Sequence, residues 1–239
     1  MDSDQRRLLA TMPLHAITSA YGEAGLRDRF AAEIASCPEP DRLRLERALD
    51  LAARLHAADR REREPYLNHL LRVAIRIMSH YGVRDPDVIC AALLHDSVED
   101  HPAELAGSGR ADQRAALAAL AGEFGPRVAE LVGAVTNPPF TPDRYPDEQY
   151  REHVAESLQG CPWARVIKAS DFTDNGAGLI HTAGPRMRRL AGKYAPLVPV
   201  LQHLIARADT PLDTAVKERI LAQIDRAAER FAAVRGDGQ

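Results

Sequence analysis

Four residues of this 239-residue chain carry chemistry beside apolar stretches: His69 just before LLRVAIRIM, His95 and Asp96 at the end of VICAALL, and Asp171 after VIKAS. An ionised aspartate withdrawn from water is costly unless it is paired or holds a cation. Two imidazoles and two carboxylates form a mixed nitrogen and oxygen donor set. That set suits a borderline-to-hard divalent ion such as Mn²⁺, Fe²⁺ or Mg²⁺ better than a thiolate-type zinc site. It also leaves coordination positions open for water and a substrate oxygen. Glu99 and Asp100 follow His95 and Asp96 at i+4, so on one continuous helix each pair shares a face. Either acid could orient a metal-activated water or shuttle its proton; support of the ligands is the alternative role. Lys168 and Arg61 offer positive charge to phosphate, and an arginine can do so bidentately.

Taken singly, each residue has a plainer role. His95–Asp100 could be a helix end entering solvent, and His69 a capping or core histidine. Lys168, Asp171 and Asn175 could be a salt-bridged helix face, and Arg60, Arg61 and Arg63 a solvated charge run. The argument for a site is that they occur together.

The elements that must position them read as helices. Apolar residues make up 45% and charged residues 27%, as in a soluble globular protein, while aromatics are only 5% and Ala and Leu abound. This composition favours an all-α fold over strands. Leu45, Ala48, Leu49, Ala52 and Leu55 line one helical face, and Leu70, Val73, Ala74 and Ile77 repeat the pattern. Asp41 after Pro40 reads as an N-cap. Asp85-Pro86 reads as an N-cap with proline at the first helical position, opening DPDVICAALLHDSVED, which is too apolar for a surface helix. Further helices are expected near 112–122, 125–136, 147–159, 163–174, 185–207 and 211–233. Thr210-Pro211-Leu212-Asp213 resembles a capping box for the last of these. TNPPFTPDRYP at 136–146 contains four prolines and reads as a loop bordering a site. Met78 and Trp163 are expected in the core. Residues 1–40 read as a helical extension broken at Pro38 and Pro40, packing over the pocket or forming a dimer interface; residues 41–239 hold the main domain.

A net charge of −3, from 31 basic and 34 acidic residues, gives no general reason to expect nucleic-acid binding. No run of 18 apolar residues exists, so no transmembrane helix is expected, and MDSDQRRLLATM lacks the features of a signal peptide. Cys37, Cys90 and Cys161 fit neither a disulfide framework nor a CxxC site, which points to a cytoplasmic protein.

In order, PYLNH at 65–69, AALLHDSVED at 91–100, GPRVAELVGAVT at 125–136, VIKASDFTDN at 166–175 and YAPLVPVL at 194–201 resemble the HD-domain metal-dependent phosphohydrolases. The resemblance is closest to the hydrolase domain of RelA/SpoT proteins and the stand-alone small alarmone hydrolases, and covers about residues 43–205. It implies an HD-domain helical bundle of roughly ten helices. It implies His69, His95, Asp96 and Asp171 as ligands, usually to Mn²⁺, with Glu99 and Asp100 assisting hydrolysis of ppGpp or pppGpp to GDP or GTP and pyrophosphate. By the same resemblance, Asn175 and Tyr194 lie near the nucleotide and Arg61 contacts its base. The implied partner is a small-molecule nucleotide, not a nucleic acid or a membrane.

The chain departs from the family pattern in three places. Glu62 stands where the family has a base-contacting lysine, Ala177 where an arginine is common, and His101 where the family usually has threonine. None is a ligand. The first two weaken the guanine assignment and leave NADPH 2′-phosphate removal, another 3′-phosphorylated or adenine nucleotide, or a non-catalytic nucleotide-binding module as alternatives. His56 is read as structural or pocket-lining.

Overall fold

The computed structural model describes residues 3–61, 64–107, 109, 112–178 and 184–236. Among them the regular elements are helical, with no strand; Arg60 and Pro65 form an isolated antiparallel bridge. The all-α expectation holds. Two compact units divide the chain, Met1–Val132 and Gly133–Gln239. The first holds α1 (Ser3–Thr11), α2 (Leu14–Ile34), α3 (Glu39–Leu55), α4 (Leu67–Ser79), α5 (Pro86–Leu94), α6 (Ser97–Asp100), α7 (Pro102–Ala106) and α8 (Gln113–Phe124). The division falls within α9 (Pro126–Val135). The second holds α10 (Pro146–Ser157), α11 (Pro162–Gly178), α12 (Gly184–Tyr194), α13 (Val198–Ala206) and α14 (Thr214–Arg235). No helix of the described residues is long and apolar enough to cross a membrane.

In the first unit, α4 packs against α2 and α5, and α3 against α5. Every residue from Leu67 to Met78 is buried, as is every residue from Val88 to Leu94. Burial of α4 includes its arginines, so their charge must be met inside. Arg72 donates to both Glu64 carboxylate oxygens at 2.8 and 2.7 Å and to Thr18 Oγ1 at 3.2 Å. Asn68 Nδ2 donates to the same Glu64 at 3.0 Å, fixing the segment that enters α4. Asp85 caps α5 as expected, accepting from the Asp87 amide at 3.0 Å with Pro86 in the first turn.

Several boundaries differ from the sequence reading. Helix α3 begins at Glu39 behind Pro38, so Asp41 lies in its first turn and not at the cap; a carboxylate there still meets the positive helix end. Residues 3–34 form two helices meeting at Pro13, and α2 kinks at Gly22, whose φ of 61° and ψ of −149° suit glycine alone. The expected helix over 185–207 is interrupted by a 3₁₀ turn at Ala195–Leu197, where Pro196 removes a backbone donor. Helix α14 begins at Thr214, and Thr210 does not cap it: its hydroxyl donates to the Leu204 carbonyl at 2.7 Å. Met78 is buried as expected, whereas Trp163 stays partly exposed.

In the second unit α14 packs against α11, α12 and α13. Buried Arg165 of α11 donates to the Leu158 and Gln159 carbonyls at 2.7 and 2.6 Å, to Thr210 Oγ1 at 3.0 Å and to Asp209 at 2.8 and 3.1 Å. One guanidinium thereby pins two loops. Residues 136–145 form the expected loop, and Gln149 holds it by hydrogen bonds to Thr141 N and O at 2.8 and 2.9 Å.

Gly176 lets α11 approach α14: a Cβ there would lie 2.9 Å from Ala227 Cβ. Helix propensity favours alanine over glycine by about 1 kcal/mol, but overpacking costs about 1–3 kcal/mol. Gly176→Ala is therefore expected to lower the urea midpoint. Gly192→Ala, with open space around the added methyl, should raise it.

Candidate metal centre

His69 stands in the first turn of α4, and His95 and Asp96 fill the break between α5 and α6. The single helix expected through His95 and Asp100 is divided into α5 and α6, although His95 and Asp96 between them keep helical φ/ψ. Asp96 and Asp100 keep their one-turn relation, the Asp100 amide donating to the Asp96 carbonyl at 2.9 Å. Because the Asp96 side chain does not cap α6, its carboxylate is available for other contacts.

One oxygen of that carboxylate, Oδ2, is the meeting point. His95 Nε2 lies 3.2 Å from it and His69 Nε2 3.7 Å. Tyr66 Oη donates to it at 2.7 Å. Both imidazoles are buried, with side chains 1 and 2% exposed, while Asp96 keeps 21% of its side chain open to solvent. His95 Nδ1 lies 2.8 Å from the Ala92 carbonyl. A carbonyl only accepts, so Nδ1 carries a proton and Nε2 is the nitrogen turned to Asp96. Ring nitrogens of two histidines thus converge on one carboxylate oxygen. The three side chains have the types and spacing to hold a divalent metal ion.

The surrounding charges tune the acids. Burial, then the repulsion of Asp96 and Glu99, pushes the Asp100 carboxyl up to about 7, although its side chain still reaches solvent. Burial, then the nearby Asp96 and Asp100 carboxylates, holds the Tyr66 phenol well above its ordinary range, so it stays a donor. Arg61 places its guanidinium 5.8 Å from the Tyr66 ring centre. Glu62 lies outside the described residues, as does the Ala177 side chain.

The second unit holds the other sequence-selected residues. Lys168 Nζ donates to Asp171 Oδ2 at 2.9 Å and Asn175 Nδ2 to Asp171 Oδ1 at 2.7 Å, on one face of α11. Lys168 also sits 5.3 Å from the Tyr150 ring, which Lys193 approaches at 4.5 Å. Tyr150 lines a cavity of about 410 Å³ with Phe140, Tyr145, Arg189, Leu190 and Lys193, so the proline-rich loop borders a pocket. Tyr194 stacks on Phe231 at 6.4 Å and meets Phe172 edge-on at 6.1 Å.

Sequence reasoning gave Tyr66 no role, although it stands three residues before His69. It also passed over Asp59, which bonds to His56 and His101; the signal was a histidine and an aspartate three residues apart.

Residues 48–140 match the family model described as HD domain. This region is similar to HD domains. The chain is 37% identical over 128 residues to guanosine-3′,5′-bis(diphosphate) 3′-pyrophosphohydrolase MESH1 of Homo sapiens, covering 52% of this chain and 63% of the human protein. It is 29% identical over 187 residues to the guanosine-3′,5′-bis(diphosphate) 3′-pyrophosphohydrolase of Aquifex aeolicus, covering 75% of this chain and 24% of that protein. The chain thus spans less than two thirds of the length of these curated relatives. A solved structure described as "A metazoan ortholog of SpoT hydrolyzes ppGpp and plays a role in starvation responses" superposes with a TM-score of 0.58 at 26% identity, covering 77% of this chain and 94% of that one. All the residues that meet at Asp96 Oδ2 lie inside the matched region.

Two outcomes test this geometry. Tyr66→Phe keeps the ring but removes the donor to Asp96, so metal affinity should fall about 10-fold, as when a group that orients a ligand is lost, with the fold intact by circular dichroism. In metal-free protein Asp100 stays protonated to a higher pH than in the unfolded chain. Between about pH 4 and 7 the folded state binds more protons, so stability falls as pH rises through that window. Unfolding curves across pH should show that fall in the native chain and a smaller one in Asp100→Asn.

Proposed function

We propose that this chain is a metal-dependent phosphohydrolase that cleaves the 3′-pyrophosphate from ppGpp or pppGpp, yielding GDP or GTP and pyrophosphate. The carrying observation is the convergence of two buried imidazoles and one carboxylate on Asp96 Oδ2, with the His95 tautomer fixed by Ala92. His69, His95 and Asp96 would hold the ion. Asp171 is assigned as the further ligand from the order of the motifs, and Mn²⁺ as the ion from the same resemblance. A divalent ion there lowers the pKa of water and polarises a phosphoryl oxygen.

The chain's own residues supply the rest. Asp100, one turn from Asp96, takes a proton from the attacking water and returns one to the departing 3′ oxygen. Glu99 orients that water. Arg61 and Lys168 meet phosphate charge, and Asn175 and Tyr194 border the nucleotide. The cavity beside Lys193 and Arg189 combines aromatic walls with two cations and one carboxylate, Asp147, a lining that could take a nucleotide. A cytoplasmic site of action accords with three free cysteines.

Glu62 and Ala177 favour a second reading on the same site, with an adenine nucleotide, another 3′-phosphorylated nucleotide or the NADPH 2′-phosphate as substrate. Release of phosphate and pyrophosphate should be measured from ppGpp, pppGpp, ppApp and NADPH, with Mn²⁺ and with chelator. Mn²⁺-dependent pyrophosphate release from ppGpp is expected. It should be abolished in His95→Ala and Asp96→Ala and strongly slowed in Glu99→Gln, and Lys168→Ala should mainly raise KM. Turnover of another member alone would move the substrate. Metal and nucleotide binding without turnover would make the chain a regulatory module.

A further inference from the structure

A second group of metal-type donors stands apart from the first. His56 follows the last turn of α3, Asp59 lies in the segment after it, and His101 follows α6. Their ligating atoms all lie within 4.8 Å of one another. His56 Nδ1 is 2.7 Å and His101 Nε2 2.6 Å from the same oxygen, Asp59 Oδ2. The Tyr66 ring separates the two groups, stacking on His56 at 4.9 Å while its hydroxyl reaches Asp96.

We infer that His56, Asp59 and His101 form a second binding site for a divalent transition-metal ion of the zinc type. The donor set is two imidazole nitrogens and one carboxylate oxygen, which suits zinc, cobalt and nickel. Ligand atoms bound at zinc distances lie about 3.0–3.4 Å from each other, so a small retreat of the Asp59 side chain admits the ion. Asp59 and His101 keep 32 and 15% of their side chains exposed, which gives an ion entry and leaves room for water to complete the shell. His56 is enclosed, and its orientation is held by the Tyr66 stack and by an edge contact with His101 at 4.6 Å.

The ring tautomers permit binding. His56 Nε2 is buried and meets no hydrogen-bond partner; without an ion Nδ1 donates to Asp59 Oδ2 at 2.7 Å, and an ion at this place takes over from that proton. His101 Nδ1 faces Glu104 Oε1 at 3.8 Å. A carboxylate behind the non-ligating nitrogen is the usual support of a metal-bound histidine, since it keeps the proton on that side. His101 is also the residue at which this chain departs from the usual threonine of the resembled family, so the set is a feature of this chain. An ion here ties the segment leading to Arg61 to the end of the helix that carries Glu99 and Asp100. It is a structural clamp beside the site of the proposed reaction, and its existence does not depend on the substrate.

The test is metal content. Full-length protein, stripped with chelator, reloaded with Zn²⁺ and dialysed, is measured by mass spectrometry for ions per chain. The native chain should hold two; His101→Thr and Asp59→Asn should each hold one, and so should His95→Ala. Circular dichroism confirms the fold of each variant. In the Asp96→Ala background, Zn²⁺ should raise Tm, and adding His101→Thr should remove that rise. One ion in the native chain, kept by His101→Thr and lost in His95→Ala, would overturn the second site. So would a second ion kept by both His101→Thr and Asp59→Asn. One ion kept in His95→Ala and lost in His101→Thr would uphold this site and overturn the first.

Discussion

Everything around the candidate metal centre depends on one electrostatic constraint: a carboxylate oxygen drawn toward a helical core has to be compensated there. Asp96 Oδ2 faces two imidazole nitrogens and one phenol. The phenol stays protonated because ionising it beside Asp96 and Asp100 in a buried place is unfavourable. One imidazole is oriented by a backbone carbonyl that can only accept. Removing any one leaves a buried polar atom unsatisfied, at a cost of roughly 1–3 kcal/mol.

The scaffold follows from that constraint. Donors can be held within a fraction of an ångström only by elements that do not yield, and α4 and α5 are buried along almost their whole length. His95 and Asp96 follow directly on α5 and keep helical φ/ψ, so the rigid helix sets where both begin. The charged members of α4 serve the same end. Arg72 and Asn68 gather Glu64 at the entry to the helix, so the chain leading from Arg61 to Tyr66 arrives in a set place.

Much of this was legible in the sequence because it rests on local chemistry. Apolar periodicity gave α3 and α4, Asp85-Pro86 before an apolar run gave α5, and the four prolines of 136–146 gave the loop. His69, His95 and Asp96 could be selected because polar residues at the ends of apolar runs need an explanation. What was not legible depends on contacts distant in the chain. Tyr66 acquires its role only when Asp96, thirty residues on, is folded against it. Asp59 meets His101 across 42 positions. Thr210 resembled a cap but is claimed by Leu204 and Arg165, and an interaction with a distant arginine leaves no trace in a local motif. The break at His95 was missed because neither glycine nor proline marks it and the backbone there keeps helical φ/ψ.

The position of α14 has a consequence for the order of events during synthesis. Phe231 of that helix packs edge-on against Phe172 at 5.8 Å, and Ala227 seats against Gly176, on the helix that carries Lys168, Asp171 and Asn175. These partners lie more than fifty positions further along the chain, whereas the residues meeting at Asp96 Oδ2 all lie within residues 66–96. On the ribosome the first unit can therefore close while the second waits for residues 214–235 to emerge. For that interval α11 exposes an aromatic surface on a nascent chain, which is where a chaperone would engage it.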